Sequence, residues 1–293
     1  MNTYLFGGSG FLGPVILEKY PEIVSVGRSS PPDYVTNRHI QIETLDDLSV
    51  LDGEQIDNVI FLIGCSDHHY LNNEIVVGLD KNVYPLKKAL AYFSKRKLNK
   101  FICFTTTLLY DKVLMKQPVK ETEPINPYIN EYVFSKYLSE EVVSFYRESV
   151  PSIIIRCSNI YGPTKLIRPD LIPTLVHNLL GSNDVSVWSK KPIRDFIYLE
   201  DAADVLVKLL QTSYTGIVNL ATGTSTSVGN ICQILEDLSG KKIADKDIEV
   251  TGPMEFYCDT TLLNTLTNWK PTFTIEQGLT KTFSRMKQWT ESN

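Results

Sequence analysis

The chain has 293 residues, is 43% hydrophobic and 22% charged, and carries a formal net charge of −5. That mild acidity offers no bulk attraction for nucleic acid or for an anionic membrane surface, so neither is expected as a partner. No apolar run approaches the roughly 20 residues needed to span a bilayer, and the first six residues read as a strand rather than a secretory signal. The length suits one large domain or two that share an interface.

The five cysteines (Cys65, Cys103, Cys157, Cys232 and Cys258) form no CxxC pair. Three of them lie in or beside apolar strand-like runs, where a thiol behaves as a small hydrophobe. Reduced thiols in a cytoplasmic protein are therefore expected. His39, His68, His69 and His177 share no metal-ligand spacing with each other or with the cysteines, so no structural metal is predicted.

In chain order, Thr3–Phe6 is a short apolar strand that runs into Gly7-Gly8-Ser9-Gly10-Phe11-Leu12-Gly13, followed by Pro14 and a helical pattern. Strand, glycine turn and helix in that order is the context of a dinucleotide site. Gly7, Gly10 and Gly13 would permit the tight turn, close approach of backbone to a pyrophosphate, and helix–strand packing. Phe11 and Leu12 within the turn, and Leu62 in a later strand, are carried as further cofactor contacts. The second strand, Ile23–Val26, ends in Gly27-Arg28-Ser29-Ser30. An NAD-selective fold usually ends this strand with an acid for the ribose 2′-hydroxyl. With none here, Arg28 and Ser29 are candidates for a 2′-phosphate, which favours NADP(H) while leaving NAD(H) open.

A weak third strand is expected at Ile40–Ile42 and a fourth at Asp57–Gly64, apolar enough to be buried on both faces. Helical periodicity covers Asn82–Tyr92, and a fifth strand runs Lys100–Phe104 into three threonines. Prolines 118, 124 and 127 mark a loop before a helix carrying Tyr132 and Lys136. Four residues apart, these two lie on one helix face, one turn apart. A free phenol titrates near 10, too high for proton traffic at neutral pH, and a neighbouring ammonium favours the phenolate. The pair is thus a candidate acid/base device. A solvated helix also carries such pairs by chance, so the rest of the chain must decide.

Ser152–Ile155 is a sixth strand. Strands alternating with helices predict a Rossmann-like, doubly wound parallel sheet. The texture changes after Gly162. Prolines 163, 169 and 173, a helix near Leu171–Leu180, and short strands near Val185–Trp188 and Gly216–Leu220 suggest a smaller mixed portion. Ser227 is a candidate N-cap for a helix over Val228–Leu238, and a last helix covers about Ile275–Trp289. Residues 1–162 are expected to form the dinucleotide-binding domain and 163–293 mainly the substrate-binding portion, with a segment near 194–222 returning to the first.

Taken together, the chain resembles the extended short-chain dehydrogenase/reductase family, often called NAD-dependent epimerase/dehydratases. The resemblance runs from Leu5 to about Phe283. It is carried by the Gly7/Gly10/Gly13 turn, Asn82-Val83-x-Pro85-Leu86, the threonine run before Tyr110, and Tyr132-x-x-x-Lys136. Further along it is carried by Arg156-x-x-Asn159-x-Tyr161-Gly162-Pro163, Arg194-Asp195-Phe196 through Asp201, and Asn219-Leu220-Ala221-Thr222-Gly223. It implies Thr106 as the hydroxyl that polarises the substrate oxygen, Tyr132 as general acid/base, and Lys136 as holder of the nicotinamide ribose. It also implies Arg194 on the diphosphate of a nucleotide-activated sugar, with an ion pair to Asp195 or Asp201 as the structural alternative. Thr107 and Asn159 are further substrate candidates, and Asp195 and Asp201 read as structural. His68, His69, Lys190 and Tyr257 are candidates to line the sugar pocket. A homodimer is implied.

Departures from the family narrow the reaction. Dehydratases of this family carry an Asp-Glu pair where this chain has Thr107-Leu108, and Leu108 moves no proton. The fucose-synthase branch adds a cysteine and a histidine where Leu108 and Asp170 stand. The leading expectation is an NADP(H)-dependent reductase of a nucleotide-linked 4-keto-6-deoxyhexose (dTDP-, CDP- or GDP-linked) in deoxysugar and surface-polysaccharide synthesis, as in the abequose-synthase type. A 4-epimerase with tightly bound NAD and a non-catalytic NADP sensor remain as alternatives.

Overall fold

The computed structural model describes every residue except 73, 166–168, 182, 183, 251, 292 and 293, and describes only the backbone at 68 and 69. Two of the expected pocket residues, His68 and His69, therefore lie outside the described side chains. The chain forms two compact units. One comprises Met1–Tyr110, Ile125–Cys157 and Ala203–Val218, and the other Asp111–Pro124, Ser158–Ala202 and Asn219–Asn293.

A seven-stranded sheet carries the first unit. Its strands are β1 (Thr3–Phe6), β2 (Val24–Gly27), β3 (His39–Gln41), β4 (Asn58–Phe61), β5 (Lys100–Thr106) and β6 (Ser152–Cys157). They run in the order β6-β5-β4-β1-β2-β3 through parallel pairings, and a later strand, Gly216–Leu220, adds at the β6 edge. The order reverses beside β1, where doubly wound sheets leave a crevice at the carboxyl ends of the strands. All four residues of β1 and of β4 are buried, as expected of strands covered on both faces. Four phenylalanines mark the core between β1, β4, β5 and the helix Tyr84–Phe93. Phe6 sits 5.8 Å from Phe61 and edge-on to Phe93 at 6.0 Å, and Phe61 stacks on Phe101 at 5.8 Å.

Two boundaries differ from the sequence reading for local reasons. The apolar run Asp57–Gly64 pairs as a strand only over Asn58–Phe61. Beyond it Leu62 still donates to Phe6 O at 2.9 Å, but the chain then turns away beneath Gly7. The expected helix Asn82–Tyr92 is instead a wide π turn, Leu79–Val83, followed by the helix Tyr84–Phe93. Pro85 has no N–H to give Lys81, and Tyr84 N bonds Leu79 O five residues back.

The second unit holds a three-stranded sheet of β7 (Asn159–Tyr161), β9 (Ile193–Tyr198) and β11 (Ser225–Ser227). It also holds a pair of β8 (Val185–Val187) with β12 (Ile243–Asp245); β10 is the Gly216–Leu220 strand of the large sheet. Ser227 caps the helix Val228–Ser239 by accepting from Asn230 N at 3.0 Å, and that helix closes at Gly240 in the left-handed region. Among the described residues no helix is long and apolar enough to cross a membrane.

Candidate active site

The glycine turn follows β1 directly. Gly7 has φ +94°, and a Cβ there would lie 3.3 Å from the backbone of Leu62 and Ile63, which places Leu62 against the turn. A Cβ on Gly13 would fall 2.5 Å from Gly7 O and 2.8 Å from Gly8 Cα. Packing within the protein alone therefore requires Gly7 and Gly13. Gly10 differs: a Cβ there would meet nothing closer than Gly7 O at 3.4 Å. The fold does not need that bare backbone, and it leaves the close approach that a pyrophosphate requires. Leu12 is buried beside the turn and Phe11 half-buried. At the end of β2, Arg28 and Ser29 are exposed, and among the described residues Arg28 pairs with no carboxylate.

Tyr132 and Lys136 sit in the first turns of the helix Glu131–Tyr146. Asn130 fixes its start, its side chain accepting from Val133 N at 2.9 Å, and Asn72 Oδ1 accepts from Tyr132 N at 3.2 Å. Tyr132 packs in a small apolar cluster with Leu71, Leu109 and Val133. Leu109 ends the turn that Thr106 caps, so the cluster brings the tyrosine to the end of β5. Thr106, Tyr132 and Lys136 are 6%, 4% and 7% exposed.

Thr106 Oγ1 accepts from Leu108 N at 3.2 Å. That bond fixes the oxygen and leaves the hydroxyl proton unclaimed by any described residue, as a donor to a substrate oxygen requires. Thr107 is different. Its hydroxyl donates to Cys157 O at 3.2 Å, which ties β5 to β6. Leu108, next along, is 37% exposed and carries no proton to move.

Lys136 Nζ lies 5.8 Å from the Tyr132 ring centroid, and its one hydrogen bond among the described residues is to Asn82 Oδ1 at 3.3 Å. Burial pushes the ammonium down to about 8, and the nearby thiols of Cys103, Cys65 and Cys157 offset this only in part. No described carboxylate pairs with it. Asn82 is the hub that the sequence reading did not assign. Its Oδ1 also accepts from Cys65 N at 2.8 Å, and its Nδ2 donates to Ser135 Oγ at 3.1 Å. Ser135 in turn donates to Tyr132 O at 2.8 Å. The π turn aims Asn82 inward, and two glycines make room for the network. A Cβ on Gly64 would lie 2.9 Å from Asn82 Oδ1, and one on Gly78 2.9 Å from Ser135 Cβ. Asn82 followed by Pro85 was the available signal, since together they mark a distorted helix start.

One turn further along the same helix face, Glu140 takes a forked pair of bonds from Arg156, Nε to Oε1 at 3.0 Å and Nη2 to Oε2 at 2.8 Å. Thr105 Oγ1 donates to the same carboxylate at 2.8 Å. Burial works against the guanidinium charge, but Glu140 outweighs it and holds Arg156 above its ordinary range. The trio ties β5, β6 and the helix Glu131–Tyr146 together and leaves Lys136 without a competing carboxylate.

In the second unit, Arg194 makes no ion pair with Asp195 or Asp201 among the described residues. Asp195 is buried and accepts from Thr222 N and Oγ1 at 2.9 and 2.8 Å, and from Gly223 N at 2.9 Å. Burial raises its carboxyl and those donors pull it back only in part. Asp201 accepts from Thr272 N and Phe273 N at 3.0 and 3.1 Å. Both carboxylates thus hold main-chain N–H groups of the second unit. Arg194 instead donates to main-chain oxygens, and Asn159 Nδ2 donates to Asp195 O at 2.8 Å. Among the described residues no group of three His, Cys, Asp or Glu side chains is placed to hold a metal ion.

The family model for the NAD dependent epimerase/dehydratase family matches residues 3–221. The probable GDP-L-fucose synthase 1 of Oryza sativa subsp. japonica is 24% identical over 310 residues, covering 96% of this chain and 90% of the relative. The CDP-abequose synthase of Salmonella muenchen is 27% identical over 170 residues, covering 54% of this chain and 56% of the relative. Among solved structures, the UDP-glucose 4-epimerase of Thermotoga maritima, crystallised with UDP-glucose, matches with a TM-score of 0.88 at 20% identity, over 99% of this chain and 100% of that one. The UDP-glucuronic acid 4-epimerase of Bacillus cereus, in complex with UDP-glucuronic acid and NAD, matches at 0.84 and 22%, over 99% and 100%.

Proposed function

Since the chain belongs to the NAD dependent epimerase/dehydratase family, we propose that it is a reductase of a nucleotide-activated 4-keto-6-deoxyhexose, using NADP(H). The observation that carries this reading is the end of β5. Thr106 holds an oriented hydroxyl with its proton to give, Leu109 at the end of the turn that Thr106 caps packs in one cluster with Tyr132, and Leu108 supplies no second acid or base. Such a site can serve one carbonyl and one proton.

Hydride delivery to the carbonyl carbon is the chemistry that a reduced nicotinamide supplies when bound. Gly7, Gly10, Phe11, Leu12, Gly13 and Leu62 would hold the cofactor, Arg28 and Ser29 would take a 2′-phosphate, and Lys136 would hold the nicotinamide ribose. Thr106 donates to the substrate oxygen and stabilises the charge that develops there. Tyr132 gives that oxygen its proton. The buried Lys136 ammonium, with no carboxylate to neutralise it, favours the phenolate left behind. Thr107, Asn159 and Arg194 are the substrate contacts of this reading, with Arg194 on the diphosphate.

A second reading, a 4-epimerase retaining its NAD, draws on the epimerases among the similar structures; at 20–22% identity those likenesses are of fold. A non-catalytic sensor would have no use for the Thr106, Tyr132 and Lys136 arrangement. The test mixes purified protein with NADPH and dTDP-, CDP- or GDP-4-keto-6-deoxyhexose and follows the near-ultraviolet absorbance of the reduced cofactor. A reductase consumes NADPH mole for mole with substrate. Isomerisation with a catalytic amount of cofactor selects the epimerase, and binding without turnover selects the sensor. Tyr132→Phe is expected to abolish turnover with cofactor affinity nearly unchanged, and retained activity would refute the role of the tyrosine.

A further inference from the structure

Two cations of the second unit, Arg194 and Lys112, reach the same short segment, and among the described residues neither has a carboxylate partner. Arg194, on β9, donates from Nη1 to Ile193 O at 2.7 Å and to Met254 O at 3.3 Å. Lys112 comes from the loop after Tyr110, and its Nζ lies 3.5 Å from where a Cβ on Gly252 would stand, a residue with φ +113°. Both side chains thus converge on the short segment Gly252–Met254. Burial and the Arg194 charge both disfavour the ammonium of Lys112, and burial also lowers Arg194.

The carboxylates of Asp111, Asp195 and Asp201 are engaged elsewhere. Asp111 Oδ1 accepts from Val113 N and Leu114 N at 2.8 and 3.0 Å, and Asp195 and Asp201 are taken as described above. Among the described residues neither Lys112 nor Arg194 makes an ion pair, and Glu255 makes none either. Two like charges drawn together in this way are unfavourable in the protein alone, and an entering anion relieves both.

We propose that Lys112 and Arg194 form one two-cation site for the diphosphate of the substrate, with Lys112 as the second cation on it. The proposal rests on the nucleotide-sugar reading above and adds to it a residue from a loop distant in sequence. A diphosphate suits the pair because it presents two phosphoryl groups, one to a planar guanidinium fork and one to a compact ammonium. Gly252 fits the same picture, since a side chain there would crowd the Lys112 ammonium.

The test is calorimetric titration of the whole protein, saturated with NADP+ so that the glycine turn is filled. Inorganic pyrophosphate and the four nucleoside diphosphates (UDP, CDP, dTDP, GDP) are the probes, with the matching nucleosides as controls. Lys112→Gln is expected to weaken the preferred nucleoside diphosphate roughly tenfold. Lys112→Arg should restore most of it, and nucleoside binding should not move. In turnover, Lys112→Gln should raise KM for the nucleotide sugar with kcat little changed. Unchanged pyrophosphate and nucleoside-diphosphate affinity in both Lys112→Gln and Lys112→Met, with NADP+ binding intact, would overturn the proposal. So would wild-type protein that binds none of the phosphorylated probes. If the diphosphates bind through Lys112 but no nucleotide sugar is ever turned over, the two-cation site stands and the functional reading falls.

Discussion

Replacing Lys136 by methionine is expected to stabilise the protein while destroying its activity. The side chain is buried, and burial brings its ammonium from 10.5 down to about 8. That fall corresponds to roughly 3 kcal/mol against the charged form at neutral pH. Methionine keeps the length of the aliphatic stem. It gives up the hydrogen bond to Asn82 and the cation–π contact with Tyr132, worth about 1 kcal/mol or less each. Asn82 Oδ1 keeps Cys65 N as a donor, so no acceptor is orphaned. The balance is a gain of about 1 to 2 kcal/mol near pH 7.

The pH dependence has a definite sign. The lysine is depressed in the folded state, so its penalty is full below about pH 8. Between about 8 and 10.5 the unfolded chain binds the proton and the folded one does not, so wild-type stability rises with pH. The advantage of Lys136→Met should therefore shrink by roughly 2 kcal/mol between pH 7 and about 9.5. Urea denaturation followed by far-ultraviolet circular dichroism measures it, with amide exchange in β5 as the local probe. Fluorescence alone would mislead, because Trp188, Trp269 and Trp289 all belong to the second unit. A variant less stable than wild type by more than about 1 kcal/mol at pH 7, or a difference that ignores pH, would refute this reasoning about Lys136.

Other expectations follow from the same geometry. Glu140→Leu or Arg156→Leu alone should cost about 3–5 kcal/mol by leaving a buried charge unpaired. The double replacement should cost well under their sum, as urea titration of all three would show. Gly13→Ala should destabilise by several kcal/mol, since its Cβ would lie 2.5 Å from Gly7 O. Gly10→Ala should leave the melting temperature nearly unchanged yet weaken cofactor binding roughly tenfold or more, read by fluorescence titration with NADPH. Asn82→Leu removes the acceptor shared by Cys65 N and Lys136, and should lower kcat roughly a hundredfold with a smaller change in KM.

Much of the fold was legible because its signals are local. Continuous apolar runs gave the strands buried on both faces, and the glycine turn showed itself by position after β1. Ser227 announced a helix by its own capping chemistry. Tyr132 and Lys136 were readable by helical spacing, although only the parts around them gave the pair a meaning. What stayed hidden depends on partners distant in sequence. The sequence shows Asn82 and Pro85 but not the π turn that swings Asn82 onto Lys136 and Ser135. Glu140 looks like an ordinary helix glutamate until β6 brings Arg156 against it. Lys112 reads as a loop charge, and only folding brings it and Arg194 to the same segment, Gly252–Met254. Strand ends were blurred for the same reason: Leu62 has the right chemistry for β4, but its neighbours, not its own side chain, end the ladder.

The central claim is that Tyr132, Thr106 and Lys136 carry a net reduction of one carbonyl. Incubating the protein with NADPH deuterated on its transferable position and the preferred 4-keto sugar nucleotide tests it directly. Magnetic resonance of the product should show deuterium at the new carbinol carbon, one per cofactor oxidised, and none with Tyr132→Phe. A product of unchanged oxidation state with an inverted centre, formed without loss of the labelled cofactor, would contradict it.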